Sequence, residues 1–119
     1  MSLNYKDKLN LLTMSGYIED IELTCKRFGL NETNLAEDTD FYNSVSMSLF
    51  QLGECKRKLS SEFLERYDSY FPWDKLRRFQ NNIGHDYLSV SLGDVWNHIT
   101  QTTPVLKEAI QRILNENRG

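Results

Sequence analysis

Residues 11–29 read LLTMSGYIEDIELTCKRFG, and this stretch decides the fold class. Its apolar residues recur at alternating intervals of three and four: Leu11, Met14, Ile18, Ile21, Cys25 and Phe28. That spacing places them along one face of a long α-helix. Gly29 follows the last of them and predicts the C-terminal end of the helix.

A second helix is predicted from about Asp40 to Leu59, after a polar, acidic connection over residues 31–40 that can hold a short helical turn. Two lines run along it at the helical period: Phe41, Val45, Leu49, Leu52 and Leu59 on the first, and Met47, Phe50 and Glu54 on the second. Apolar residues on two faces indicate burial on two sides. This helix is therefore either central or half of an oligomer interface.

Three further helical segments complete the chain. Ser60 and Ser61 offer a cap for a short helix through Tyr67. Pro72 predicts the start of a helix that runs to about Gly84 or His85. A last helical region should begin at Asp94 as N-cap, and Pro104 should kink it or split it in two.

We therefore predict an all-α fold, an up-and-down bundle of four main helices plus a short one, forming a single domain over residues 1–119. The chain has 119 residues, 39% of them hydrophobic and 26% charged, as in ordinary globular domains. Its net charge of −3 argues against strong nonspecific binding to duplex nucleic acid but leaves room for a small basic site.

The sequence also predicts several absences. No apolar run is long enough for a membrane span, and the first residues lack a signal-peptide core, so we expect a cytoplasmic protein with reduced cysteines. Two cysteines and two histidines, all scattered, make a poor zinc set, and there is no P-loop. We therefore expect no metal and no cofactor.

Residues 73–87, WDKLRRFQNNIGHDY, carry the most chemistry. On a helix, Leu76, Phe79 and Ile83 share one face. The opposite side gathers Asp74, Arg78, Asn81, Asn82 and His85. Such a face is most often simply solvated. The alternative is a phosphodiester site, because a histidine moves protons near neutral pH and an arginine stabilises phosphate charge.

Four segments together resemble the HEPN superfamily, and most closely its HepT-like branch, formerly the domain of unknown function 86. Pro72-Trp73, Asn81, His85 and Tyr87 match the branch's motif in type and spacing. Gly53-Glu54 with Leu59-Ser60, and the run from Asp94-Val95-Trp96 to Pro104-Val105-Leu106, resemble its second and last helices.

The chain departs from that pattern at one position. Gln80 stands where the branch usually has the arginine of its Arg–His motif. Arg78 lies two residues earlier and still fits the looser form of the motif, with six residues between it and His85. Arg78 lies on the His85 side of the predicted helix and is the natural substitute.

The resemblance implies a metal-independent RNA endonuclease of a HepT/MntA-type toxin–antitoxin module. Two copies of the motif would meet across a homodimer, with His85 as general acid or base and Arg78 stabilising the charged phosphorane. Asn81, Asn82, Gln80 and Glu54 would support or orient the substrate. The partner would be an MNT-type nucleotidyltransferase antitoxin that attaches AMP to Tyr87.

Other interpretations remain open at this point. The Gln80 departure favours a non-catalytic helical module that docks to a nucleotidyltransferase or binds nucleotide, and a bundle that shares only the fold is a third possibility. Glu54 can instead cap a helix or pair with an arginine, and His98 is expected to be structural. The basic run 56–58, with Lys75 and Arg77, either guides RNA or is ordinary solvated charge.

Overall fold

The computed structural model describes residues 3–84 and 92–118, with the backbone alone for residues 80–84. Its helices are α1 (Tyr5–Phe28), α2 (Glu32–Glu37), α3 (Thr39–Arg57), α4 (Ser61–Arg66), α5 (Lys75–Gly84), α6 (Leu92–Asn97) and α7 (Thr103–Glu116). A 3₁₀ turn, Asp68–Tyr70, follows α4, and a π-helical segment, His98–Thr102, joins α6 to α7. The all-α prediction is confirmed; among the described residues three helices, α2, α4 and α6, are six residues long, where a single short helix was expected.

The first helix follows the predicted pattern. Asn4 caps its start by accepting a hydrogen bond from the Asp7 backbone N–H at 2.9 Å. Five of the six residues of the apolar face are buried, and the sixth, Phe28, is half-buried and stacks on Phe41. Gly29 ends the helix with φ of 84°, a conformation that a side chain would strain.

Helix α3 lies at the centre of the bundle, between α1 and α5. Phe41, Val45, Leu49 and Leu52 are buried along it as predicted. On its second line Phe50 and Glu54 are half-buried, and Met47 is exposed. The central position explains burial on two sides within one chain, so burial alone does not require a partner.

The entry to α5 differs from the prediction. Helix α4 begins as expected, because Ser60 Oγ accepts a hydrogen bond from the Phe63 N–H. The predicted start of the next helix at Pro72 is wrong, since α5 begins at Lys75. The carbonyls of Pro72 and Trp73 instead accept hydrogen bonds from N–H groups three residues ahead, which forms a tight turn before the helix.

The predicted N-cap at Asp94 is also wrong, because α6 already begins at Leu92 and Asp94 lies in its first turn. The interruption expected at Pro104 does occur, as a π-helical segment. Proline has no N–H to donate, and its ring crowds the carbonyl four residues earlier. The ladder widens just before it: the Thr103 N–H bonds to the His98 carbonyl, five residues back.

Candidate functional site

An aromatic corner fixes the start of α5. The Trp73 ring is buried edge-on against Phe63 and Phe71, at centroid distances of 5.2 and 5.3 Å. Its indole N–H donates to the Tyr67 carbonyl at 2.9 Å. A buried tryptophan with its one polar atom satisfied holds its backbone firmly. The family-like Pro72-Trp73 pair therefore anchors α5, and it also lines a surface pocket together with Lys56 and Asp74.

The polar front of α5 is the candidate site. Leu76 and Phe79 are fully buried beneath it, which confirms two of the three residues of the predicted apolar face; the side chain of the third, Ile83, lies outside the described part of the structure. Arg78 is exposed on the surface of the helix. Gln80, Asn81 and Asn82 belong to the same helix by their backbone, whereas His85 and Tyr87 lie outside the described residues. The pairing of Arg78 with His85 and the place of Tyr87 therefore stay predictions.

Glu54 forms an ion pair with an arginine, which is one of the two roles expected for it. Arg57 Nη2 donates to its Oε2 at 2.8 Å, one turn along α3. This partner is an arginine of its own helix. A carboxylate held by a cation is less repulsive to a nearby phosphate than a bare one.

The basic residues around α5 divide into two groups. Lys56 is half-buried, and its Nζ lies 3.6 Å from Asp74, which links the end of α3 to the turn before α5. Lys75, Arg77 and Arg78 are exposed on the first two turns of α5. The first half of this helix therefore presents three cations, while the nearby acid is engaged by Lys56.

A second histidine, His98, lies directly beneath α5. It is buried, and its ring meets the Phe79 ring edge-on at a centroid distance of 4.4 Å. Neither ring nitrogen has a hydrogen-bond partner among the residues that the structure describes. Burial lowers the pKa of His98, the charges of Arg78 and Lys75 lower it further, and Asp94 opposes them.

The burial of His98 against Phe79 agrees with the expectation that this residue is structural, although its position beneath α5 was not predicted. Its ring contacts Phe79 of α5, and the charge of Arg78 on the same helix lowers its pKa. The Asp94–His98 spacing of four residues predicts only that an acid and an imidazole share one helix face, and it carries no signal for the contact with α5.

The described residues include no cluster suited to a metal ion and no exposed thiol. Across residues 3–84 and 92–118, no three histidine, cysteine or acidic side chains cluster as a metal-ion site. Cys25 and Cys55 are unpaired and buried, and burial raises the pKa of both thiols. No described helix has the length and apolar character needed to cross a membrane.

Comparison with known proteins gives one family and one relative. The family model described as "Ribonuclease HepT-like" matches residues 14–113. A Methanocaldococcus jannaschii protein named "Gamma-glutamylcyclotransferase and putative RNase" is 32% identical over 65 residues, which are 55% of this chain and 29% of that protein. The matched region is thus less than a third of that relative's length. No solved structure matches the chain.

Proposed function

The chain belongs to the HepT-like ribonuclease family, and on that premise we propose that it is a metal-independent RNA endonuclease and the toxin of a toxin–antitoxin module. The observation that carries the proposal is the surface of α5. Arg78 is exposed beside two other exposed cations, Lys75 and Arg77. Leu76 and Phe79, which are fully buried, hold this helix against the core. Such a surface attracts an RNA backbone even though the whole chain is acidic.

The proposed reaction is transesterification by the RNA itself. His85 takes the proton of a ribose 2′-hydroxyl, whose oxygen attacks the adjacent phosphorus while the bond to the 5′-oxygen breaks. The leaving 5′-oxygen receives a proton, and the products carry a 2′,3′-cyclic phosphate and a 5′-hydroxyl. The Arg78 guanidinium stabilises the charge that builds on the phosphoryl oxygens. DNA lacks the attacking hydroxyl and is spared.

The other predicted residues take supporting parts in this proposal. Asn81, Asn82 and Gln80, on the turns that follow Arg78, orient the RNA. Glu54 holds Arg57 at the edge of the basic surface, as its 2.8 Å contact with that arginine supports. Two copies of the motif face each other across a homodimer.

Regulation is proposed to act on Tyr87, two residues beyond His85. A nucleotidyltransferase partner attaches AMP to its hydroxyl, with pyrophosphate leaving from ATP. The modification adds bulk and a negative phosphate beside the general base, which repels the RNA phosphate and blocks its approach.

The first experiment is cleavage of total cellular RNA in EDTA by protein whose Tyr87 is shown by mass spectrometry to be unmodified. We expect cyclic-phosphate ends, and a loss of rate of about 10²–10³-fold in Arg78→Ala, the scale for removing one charge-stabilising donor. His85→Ala should lose at least as much. Arg77→Ala is the comparison variant: it removes the same charge from the attracting surface, one residue away and about 100° around the helix, but not the proposed contact with the phosphoryl oxygens, so it should lose much less rate than Arg78→Ala.

A second pair of variants tests whether Arg78 has replaced the arginine usual at position 80. If it has, Gln80→Arg should restore cleavage in the Arg78→Ala background and add little to the natural chain. No cleavage by folded, unmodified protein would overturn the ribonuclease proposal. A non-catalytic module that docks to a nucleotidyltransferase, which Gln80 favours, would then be the better account.

A further inference from the structure

Helix α1 carries a second apolar line on the side opposite its buried face. Tyr5, Leu9, Leu12 and Leu23 are each between 44% and 74% exposed. At about 100° per residue they fall within a narrow sector of the helix, together with Gly16. We call these five residues the outer face of α1. Scattered exposed leucines are ordinary, but four large apolar residues along one line indicate a covered surface.

Gly16 marks the middle of this outer face. It is exposed, and a Cβ built there would meet no atom within 4 Å. Packing inside the chain therefore does not require a glycine, and helix propensity disfavours one. Because glycine has no side chain, another helix can approach closely at this position of the apolar face. Such a contact would explain why a glycine stands here.

The charges that border the outer face are arranged in a self-complementary way. Lys6 and Lys8 lie in the first half of α1, and Glu19 and Asp20 lie in the second half. All four are exposed, and none forms an ion pair within the described residues. By helical position, Lys8 and Glu19 border one edge of the face, and Lys6 and Asp20 border the other.

A two-fold axis pairs such a helix with itself in antiparallel orientation, so that the same surface meets itself. With Lys6 of one copy set opposite Asp20 of the other, Leu9 falls opposite the position one residue after Gly16, and Lys8 falls opposite the position one residue before Glu19. One register thus satisfies the apolar contact and both charge pairs. The opposite, parallel orientation would place like charges together.

We propose that the outer face of α1 binds the outer face of a second copy of this chain, with the two α1 helices antiparallel. This interface is separate from the site, because α1 packs against α3 and α7, whereas α5 packs on α3. The inference goes beyond the ribonuclease proposal and needs no RNA for its test.

Charge exchange provides the decisive experiment. One chain carries Lys6→Glu with Lys8→Glu, and a second carries Glu19→Lys with Asp20→Lys. Each alone sets like charges opposite like and should show half the natural chain's mass by light scattering at about 0.1 M salt, where screening is moderate. An equimolar mixture should recover the natural mass and contain both chains, since each charge then meets its opposite. Circular dichroism verifies that both variants are folded.

The apolar contact is tested separately with Leu9→Gln/Leu12→Gln and with Gly16→Leu. Both should halve the mass, and Val105→Gln, at an exposed apolar position on α7, should not. A monomeric natural chain, an unchanged mass in the folded charge variants, or a mixture that fails to recover the natural mass would each overturn the proposal. RNA cleavage by the natural chain tests the ribonuclease proposal only, so the two proposals can fail independently.

Discussion

Asp7 and His98 are both buried, yet the two corners of the bundle treat them in opposite ways. The Asp7 carboxylate accepts two hydrogen bonds from Ser60, from its N–H at 2.9 Å and from its hydroxyl at 2.6 Å. His98 has no hydrogen-bond partner within the described residues and leans on Phe79 instead. Buried polar groups in native proteins are normally paired, so an unpaired one needs a reason.

The difference separates a structural corner from the corner beneath the candidate site. At the first, Ser60 joins α1 to α4 and at the same time caps α4. At the second, burial lowers the pKa of His98, and the charges of Arg78 and Lys75 on α5 lower it further. The hydrogen bonds of Asp7 therefore stabilise the fold at the first corner. The buried ring of His98, unpaired in the described part of the chain, lowers stability at the second corner, next to the surface proposed to bind RNA.

Asp7→Ala should give the largest loss of stability. It removes two charge-assisted hydrogen bonds and leaves the Ser60 N–H without its acceptor, so we expect a loss of about 3 kcal/mol in the free energy of unfolding. Urea titration measures it. Asp7→Asn should lose less, because an amide keeps one acceptor oxygen.

A double-mutant cycle with Ser60→Ala checks the cause. If the two residues act as a unit, the double variant should lose much less than the sum of the two single losses. Simple additivity would show that Asp7 stabilises α1 in some other way. The contrast with His98 would then fail, because it rests on the hydrogen bonds between Asp7 and Ser60.

His98→Phe should change little at pH 7.5, because no hydrogen bond among the described residues is lost and a similar ring remains against Phe79. The pH dependence is the sharper readout. Burial, with Arg78 and Lys75, lowers the pKa of His98 in the folded state below its ordinary value of 6.5, so the unfolded chain binds the proton more readily. This contribution is intact above about pH 6.5 and is lost as the pH falls from there towards the folded-state pKa.

The natural chain should therefore lose stability on acidification faster than His98→Phe, by at most about 1.4 kcal/mol per pH unit. Urea titrations of both proteins between about pH 7.5 and about pH 5, a range that brackets the ordinary histidine pKa of about 6.5, measure the difference. His85 is present in both chains and cancels. Parallel curves would mean that His98 finds a partner when protonated.

Local rules were enough to predict most of the bundle. The three-and-four spacing from Leu11 to Cys25 predicted the buried face of α1, and Gly29 its end, because both depend on neighbours within one or two turns. The same kind of reasoning failed at Asp94 and Pro72. A good capping residue or a helix-opening proline is a preference that the packing of Leu92 or of the Trp73 ring overrides.

Contacts between distant residues could not be predicted in this way. Asp7 and Ser60 are 53 positions apart, and nothing near either residue indicates the other. At the site, the helical wheel correctly placed Arg78 on the surface and Phe79 in the core. It could not show that His98 would pack beneath them, because that depends on how the last helical region lies against α5.

Thr103→Val should give the smallest effect, and it tests how the π-helical segment is held. Because the Thr103 N–H bonds to the His98 carbonyl, the Ile99 carbonyl loses the donor that a regular α-helix would supply. The buried Thr103 hydroxyl replaces that donor, at 3.2 Å from the Ile99 carbonyl oxygen. Valine keeps the shape and removes the hydroxyl, so urea titration should show a loss of about 1 kcal/mol.

Pro104→Ala is the informative background for this substitution. Alanine restores an N–H and removes the ring, so the helix can return to α-helical register and the Thr103 N–H can bond to Ile99 directly. Thr103→Val should then be nearly silent. The same return would rotate His98 by about 100° relative to α7 and away from Phe79, so the acid-dependent loss assigned to His98 should shrink as well. If both effects persist unchanged, the proline does not cause the π-helical segment, and the position of His98 beneath α5 has another origin.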